Sequence, residues 1–362
     1  MFRLCSHIRR PRISPCKFYS TQPDKPSIQL VAELRKRTEV SISKAHEALI
    51  ATNNDVTAAL DWVQKDLAIS GVKKVAKVEG RETKEGVIST SILSRGIGSD
   101  EAYGPGPRAG MIELNCETDF VARNELFGNL AADIAASAAV LAAPLDAEKL
   151  PEFGPFPLDL LHDLPLISHF DVEAEPTRSV GDGIRDTIAK LGENISLRRA
   201  TALSQPPEDR NDRGVRVGSY IHGSVNNSRN GRIAALVSLM IRSLRLPKIL
   251  SSTDFRKDLE TMERALAQQI VGFDTRSVMY FGHVEGQERD PLVLYDQPFM
   301  MYPGNEAGQV VELVLQQWAV ERGMVTSMDD PEQITAASAL FVVDFEKWTV
   351  GESVIEPDFV SE

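Results

Sequence analysis

The stretch NCETDFVARN, residues 115–124, joins a strand-like run to a helix-like run. The apolar segment MIEL, residues 111–114, precedes it, and a segment rich in Ala and Leu follows it as far as Ser137. Asp119 and Phe120 therefore stand side by side where a predicted strand gives way to a predicted helix. A Phe in this position can fold back into its own core or project toward a partner, and general statistics favour the core.

Length and composition indicate a globular protein of several units. The chain has 362 residues, which suggests two or three domains. Hydrophobic residues make up 42% and charged residues 25%, as in ordinary soluble proteins. The longest apolar stretch, residues 131–145, is interrupted by Asp133, Ser137 and Pro144, so we predict a buried helix there and no membrane span.

The first twenty residues differ from the rest because they carry five cations and no acid. The cations are Arg3, Arg9, Arg10, Arg12 and Lys17. An Arg-rich, acid-free start with interspersed apolar residues is typical of a mitochondrial presequence, and it predicts a protein of the mitochondrial matrix. The alternative is a basic disordered tail.

Charge and cysteine content limit the kinds of partner and compartment. Subtracting the +5 of residues 1–20 from the net charge of −12 leaves −17 for residues 21–362. So acidic a body predicts a protein partner rather than nucleic acid, because phosphate neutralisation needs Lys and Arg. Of Cys5, Cys16 and Cys116, only Cys116 would remain after processing, so we expect no intramolecular disulfide. Cys116 is more typical of a small core residue than of a nucleophile.

Residues 27–67 are predicted to form three short helices that resemble a UBA-like bundle. Ser27 can cap the first helix, on which Ile28, Val31 and Leu34 share one face. The second helix is expected from about residue 43 to 52 and the third from about 55 to 66, with an Asn-Asn turn between them. The Lys-rich residues 68–85 are predicted to be a solvated linker.

The remainder contains a hairpin followed by a helix, twice. Residues 86–93 and 110–115 form the first pair of predicted strands, and residues 217–223 and 231–237 form the second, which precedes a helix at about 255–271. We therefore predict an α+β fold, with two related subdomains at residues 86–203 and 216–356. Each would have a small antiparallel sheet with helices on one face.

Two more strands are expected, at residues 295–300 and 342–346. The loops at 94–109, 145–165, 204–215 and 225–230 are rich in Pro, Gly or charge and are predicted to be surface insertions.

Sequence signatures of catalysis and nucleotide binding are missing. The chain has no GxxxxGK(S/T) phosphate loop, and the prolines of GPGPRAG, residues 104–110, remove N–H groups that a phosphate would need. The histidines have no metal-ligand spacing, and the serines beside His222 do not form a nucleophile elbow. We therefore expect no enzyme active site, no metal and no cofactor.

Four segments together resemble elongation factor Ts, the nucleotide exchange factor of the GTPase elongation factor Tu. They are TDFVA (118–122), LRKRT (34–38) with KAHEAL (44–49), NDVTAAL (54–60) and KLGENISLRR (190–199). The resemblance covers roughly residues 28–356 and implies an exchange factor of the mitochondrial type that promotes GDP release during translation elongation. The chain departs from the family at residues 39–43, where the usual glycines and paired apolar residues are replaced.

The resemblance also implies which residues contact the GTPase. Phe120 would be a wedge and Asp119 its polar neighbour, flanked by Thr118 and Val121. His222, with Ile221 before it, would be a second intrusion near the phosphate loop of the partner. Arg35 and Ile42 would hold the GTPase domain from the N-terminal module.

The short segment 280–294 leaves no room for the self-association hairpin of bacterial members, so a monomer and a one-to-one complex are expected. Two alternatives stay open. One is a UBA-type module that captures ubiquitin or a peptide, and the other is an enzyme that uses Cys116.

Overall fold

The computed structural model of the chain describes residues 25–38, 40–99, 106–146, 149–207, 210–225, 228–279, 289–305, 307–325 and 334–353, and for residues 67–74 only the backbone. The predicted presequence and residues 280–288 lie outside these ranges. The chain divides into two compact units, Met1–Ala68 and Ile69–Glu362. No helix within the described residues combines the length and the apolar character that crossing a bilayer requires.

The three predicted helices are α1 (Ile28–Thr38), α2 (Ile42–Ala51) and α3 (Val56–Val78), of which α1, α2 and the first part of α3 belong to the smaller unit. Ser27 accepts a hydrogen bond from the Leu30 amide at 3.2 Å, as expected of a cap. The turn after α2 uses Asn53 and Asn54 at φ 53° and 66°, a conformation that Asn tolerates. The core of the unit consists of buried aliphatic side chains: Leu34, Val40, Ala45, Ala48, Leu49, Ala59 and Val63.

Two details of this region differ from the prediction. Ile28 was placed on one face of α1 with Val31 and Leu34, but as the first residue of the helix it is exposed, whereas Leu34 is buried. Helix α3, expected to end near Asp66, continues to Val78 through the first part of the predicted linker. The reason is that Val75 and Val78 lie three residues apart, on one helix face, and pack in the core of the larger unit.

The first part of the larger unit forms a sheet of five antiparallel strands, in the order β3 (Gly154–Pro155), β4 (Ile195–Ser204), β2 (Arg108–Cys116), β1 (Glu85–Ser94) and β6 (Asn230–Gly231). Helix α5 (Glu125–Leu141) packs on β1 and β2. Its Ala-rich face comes so close to the sheet that a Cβ on Gly110 would lie 2.8 Å from the Ala139 amide nitrogen. The elements are β1 (Glu85–Ser94), β2 (Arg108–Cys116), α4 (Asp119–Ala122), α5 (Glu125–Leu141), β3 (Gly154–Pro155), α6 (Leu158–Asp163), α7 (Val180–Leu191) and β4 (Ile195–Ser204).

The second part forms a sheet of three antiparallel strands, in the order β5 (Arg213–His222), β7 (Ile233–Arg242) and β8 (Leu340–Thr349). Helix α9 (Thr253–Gly272) packs on β5 and β7. The elements are β5 (Arg213–His222), β6 (Asn230–Gly231), which joins the first sheet, β7 (Ile233–Arg242), α8 (Leu246–Leu250), α9 (Thr253–Gly272), a 3₁₀ turn (Leu294–Asp296), α10 (Val311–Glu321), α11 (Ala336–Ala339) and β8 (Leu340–Thr349).

The two sheets lie face to face, so the larger unit has four layers: helices, sheet, sheet and helices. Val87 and Ile112 of the first sheet face α5, whereas their neighbours Ile88 and Met111 face the second sheet. In β7, Leu236 faces the first sheet, whereas Val237 belongs to the core beneath α9. This explains the nearly unbroken apolar sequence of β7, which is buried on both faces. The predicted α+β fold with two antiparallel sheets is confirmed.

Two predicted segments are corrected. Residues 295–300 are not a strand: they contain the end of the 3₁₀ turn and an isolated bridge at Pro298, whose ring nitrogen cannot donate to a ladder. The loop 145–165 is not merely a surface insertion, because Phe156 and Leu161 are buried in the core beneath α5 and Gly154 pairs with Ala202 at the sheet edge. The predicted strand at 342–346 lies within β8.

Candidate partner-binding site

The strand-to-helix junction places Phe120 outward. Thr118 caps the short helix α4, with its hydroxyl 3.4 Å from the Val121 amide nitrogen. Residues 121 and 122 turn inward and are buried, whereas Phe120 is 82% exposed. The core position that general statistics favour for Phe120 is therefore wrong. A large aromatic side chain held outward by a capped helix is available to a partner.

Asp119 also faces solvent beside Phe120. Its carboxylate lies 3.6 Å from the Arg123 guanidinium, one helical turn away, and both side chains are half exposed or more. A pair of this kind in water contributes at most about 1 kcal/mol and breaks readily. Asp119 can therefore exchange Arg123 for a group on a partner.

An open groove of about 770 Å³ adjoins this helix. Asp119, Ala122 and Arg123 line one part of it, and the turn at residues 223–225 lines another. That turn directly follows His222, so the structure brings the two predicted contact regions to one groove. The remaining lining residues include Arg232 and Glu85, which form an ion pair.

His222 is exposed at the end of β5, and its backbone is well fixed. Its carbonyl accepts a hydrogen bond from the Arg232 amide at 3.0 Å. Ile221 is half-buried and packs against the core between the sheets. A Cβ on Gly231 would lie 2.3 Å from Cγ2 of Ile221, so only Gly lets these strands approach this closely. Ile221 therefore acts mainly as a packing residue that fixes the position of His222.

Arg35 and Ile42 lie on the smaller unit, and both are exposed. The Arg35 Nε donates a hydrogen bond to the Val40 carbonyl at 3.2 Å, which orients the guanidinium along the end of α1. Ile42 is the first residue of α2 and is 62% exposed.

Cys116 is unsuited to nucleophilic chemistry. Its side chain is fully buried at the end of β2, and its thiol donates to the Thr118 carbonyl at 3.2 Å. Burial raises the pKa of the thiol to about 12, so it stays protonated near neutral pH. A buried, protonated thiol does not favour the hypothesis of an enzyme that uses Cys116, and the prediction of a core cysteine is confirmed.

Sequence reasoning missed a group of residues behind α4. Glu193 accepts hydrogen bonds from both the backbone and the hydroxyl of Thr118, at 3.0 and 2.6 Å. Glu193 lies in the segment 190–199, which the sequence marked as a motif without indicating what its acid contacts. Only the antiparallel pairing of β2 with β4 places the two motifs together.

Comparisons with known proteins identify the family. The family model described as Elongation factor TS matches residues 117–352. The chain therefore belongs to the elongation factor Ts family. It is accordingly a nucleotide exchange factor of translation elongation, a protein that acts on a partner rather than a catalyst of its own chemistry.

Individual relatives specify the type within the family. The chain is 47% identical over 358 residues to "Elongation factor Ts, mitochondrial" of Laccaria bicolor, covering 98% of this chain and all of the relative. It is 48% identical over 338 residues to the protein of the same name from Coprinopsis cinerea, covering 93% and 95%. A protein so named from Cryptococcus neoformans is 33% identical over 355 residues, covering 90% and 87%. These names imply a mitochondrial location for this chain.

Proposed function

We propose that this protein binds mitochondrial elongation factor Tu as a one-to-one complex in the matrix and promotes the release of GDP. The observation that carries the proposal is Phe120, an aromatic side chain that is 82% exposed on a capped helix at the rim of a groove. Family membership supplies the partner class, and the exposed wedge supplies a means of acting on it.

The proposed mechanism is differential binding. Phe120 enters an apolar slot of the GTPase, and its burial contributes about 1.5–3 kcal/mol. The slot opens only when the segments that hold Mg²⁺ and nucleotide move, so the complex is stronger with the nucleotide-free form. By linkage, GDP then binds the complex more weakly by the same factor.

Other exposed groups extend this contact. Asp119, released from Arg123, disturbs the water and Mg²⁺ network next to the slot. His222, presented by the fixed end of β5, approaches the phosphate loop from the other part of the groove. Arg35 and Ile42 of the smaller unit hold the GTPase domain whether or not nucleotide is present.

The test is calorimetric affinity of the processed protein for nucleotide-free and for GDP-bound elongation factor Tu from the same mitochondria. We expect the nucleotide-free form to bind more tightly by roughly a hundredfold, which corresponds to about 3 kcal/mol of coupling. Arg35→Ala should weaken both complexes by a similar factor, whereas Phe120→Ala should reduce the difference in affinity between the nucleotide-free and the GDP-bound form. Equal affinities of the wild-type protein for the two forms would exclude exchange by this mechanism. A tight ubiquitin complex with no affinity for the GTPase would instead favour the UBA-type module.

A further inference from the structure

Two turns of the larger unit hold each other through their acidic side chains. Glu193 Oε1 accepts the Thr118 hydroxyl at 2.6 Å, and Oε2 accepts the Thr118 amide at 3.0 Å. In the opposite direction, Glu117 Oε1 accepts the Asn194 amide at 2.6 Å. We call these four residues the reciprocal clamp: Glu117, Thr118, Glu193 and Asn194.

A third segment ties the clamp to the start of the larger unit. The Asn194 side chain donates to the Arg81 carbonyl at 2.8 Å, and the Arg81 guanidinium lies 3.3 Å from Glu117 Oε1. Hydrogen bonds that a carboxylate accepts are shorter and stronger than neutral ones. The turn before α4 is therefore held more firmly than an ordinary surface turn.

Glu193 reaches the helix through the Thr118 hydroxyl. That oxygen donates its proton to Glu193 and faces the Val121 amide, the bond that caps α4. Helix α4 has only four residues, and so short a helix depends on its cap because it has few internal hydrogen bonds. The carboxylate of Glu193 thus sets the start of the helix that carries Phe120.

We propose that Glu193 is a positioning residue for nucleotide exchange, which holds Phe120 in its outward direction before the partner arrives. The inference rests on the proposed function. Both oxygens of the Glu193 carboxylate accept hydrogen bonds from Thr118, so Glu193 acts on the helix through Thr118. A wedge that is ordered in advance loses less conformational entropy on binding.

A purely structural role for the clamp, as a fastener of β2 to β4, is less consistent with the pairing of these strands. Their backbones are already paired to the end, with Cys116 opposite Ile195 and Asn115 opposite Ser196. The sheet therefore closes without Glu193, whereas the hydroxyl that caps α4 has Glu193 as its hydrogen-bond acceptor.

The first test uses the protein alone. Hydrogen exchange is measured at the amides of α4 in the wild type, in Glu193→Ala and in the surface control Glu173→Ala. We expect Glu193→Ala to lower protection of the Val121, Ala122 and Arg123 amides by about tenfold while α5 keeps its protection. Unchanged protection in α4 would overturn the clamp, and this result does not depend on any GTPase.

The second test is a double-mutant cycle on release of labelled GDP from elongation factor Tu. Glu193→Ala should slow release by about tenfold in the wild-type background and by less than about twofold in the Phe120→Ala background. If Glu193→Ala slows GDP release by the same factor in both backgrounds, the proposal is overturned, because Glu193 would then act independently of the wedge. If the wild-type protein does not accelerate GDP release from elongation factor Tu, the proposed function fails. The hydrogen-exchange measurement on α4 would still show whether the reciprocal clamp holds the helix.

A matched pair of variants covers the case in which Glu193→Ala does not fold. Thr118→Ser keeps the hydroxyl that links Glu193 to the cap, whereas Thr118→Val removes it with little change of volume. We expect GDP release to be about tenfold slower with Thr118→Val than with Thr118→Ser, which is the loss predicted for Glu193→Ala. Equal rates for the two variants would overturn the proposed path through the hydroxyl.

Discussion

Replacement of Phe120 by Ala should impair nucleotide exchange without destabilising the folded protein. The side chain is 82% exposed, so its removal leaves no cavity, and we expect the free energy of unfolding to change by less than about 0.5 kcal/mol. In the proposed complex the same ring is buried, and its loss removes about 1.5–3 kcal/mol of contact. That loss corresponds to a reduction of GDP-release efficiency by roughly 10- to 150-fold.

Two other Phe residues provide matched controls for the same substitution. Phe170 is 81% exposed and lies against His169, with ring centroids 3.8 Å apart and ring planes tilted by 39°, in a segment that we do not assign to the GTPase contact. Phe170→Ala should leave exchange unchanged. Phe127, at the start of α5, is fully buried, so Phe127→Ala should cost about 3–5 kcal/mol of stability.

The assay combines urea unfolding of each variant with stopped-flow release of fluorescent GDP from elongation factor Tu. The reasoning requires Phe120→Ala to unfold like the wild type and to exchange slowly. If it unfolds as early as Phe127→Ala, Phe120 is a core residue in solution. If it exchanges as fast as Phe170→Ala, the ring makes no contact that matters for nucleotide release.

Three further predictions concern assembly, pH and burial of charge. The processed protein should scatter light as a monomer at micromolar concentration, and a stable dimer would contradict this. Burial in β8 raises the pKa of Glu346 to about 7 from 4.5, so the folded state retains this proton longer and loses stability as pH rises from about 4.5 to 7. Glu346→Gln should flatten the dependence of stability on pH in that range, as measured by urea denaturation. It should also stabilise the protein at pH 8 by on the order of 1–3 kcal/mol. An unaltered pH profile would refute the raised pKa of Glu346. Arg216→Met removes the main partner of the buried Glu263, whose carboxylate lies 2.6 Å from Arg216 Nε. It should lower the free energy of unfolding by about 3–5 kcal/mol in the same assay. A loss below about 1 kcal/mol would show that Glu263 is neutral or hydrated.

Local patterns were sufficient to predict most elements of the fold. Alternating apolar residues marked β1 and β2, and the Asn-Asn turn marked the end of α2, because these signals depend on residues close in sequence. The strand expected at 295–300 was wrong, since an apolar run that contains Pro298 can be buried as a turn instead. The Lys-rich end of α3 was taken for a linker because charge concealed the apolar spacing of Val75 and Val78.

The candidate site was only partly predictable. Sequence statistics favoured the core for Phe120, and only the resemblance to a family favoured exposure. The outward direction follows from helix geometry, since Val121 and Ala122 occupy the inward face of α4 and leave the other face to Phe120. The reciprocal clamp could not be predicted, because Glu193 and Thr118 are 75 residues apart and meet only after β4 pairs with β2.

The small strand β6 explains how two distant segments can form one site. The loop between β5 and β7 does not remain within its own sheet, because Gly231 and Asn230 pair with Ile88 and Ser89 of β1. Asn230 also donates its side-chain amide to the Gly128 carbonyl of α5 at 2.8 Å. The turn after His222 is thereby fixed to the same strand and helix that support α4. A contact that requires Phe120 and the end of β5 to meet one rigid partner needs such a connection, since two independently moving sheets would lose part of the binding free energy to ordering.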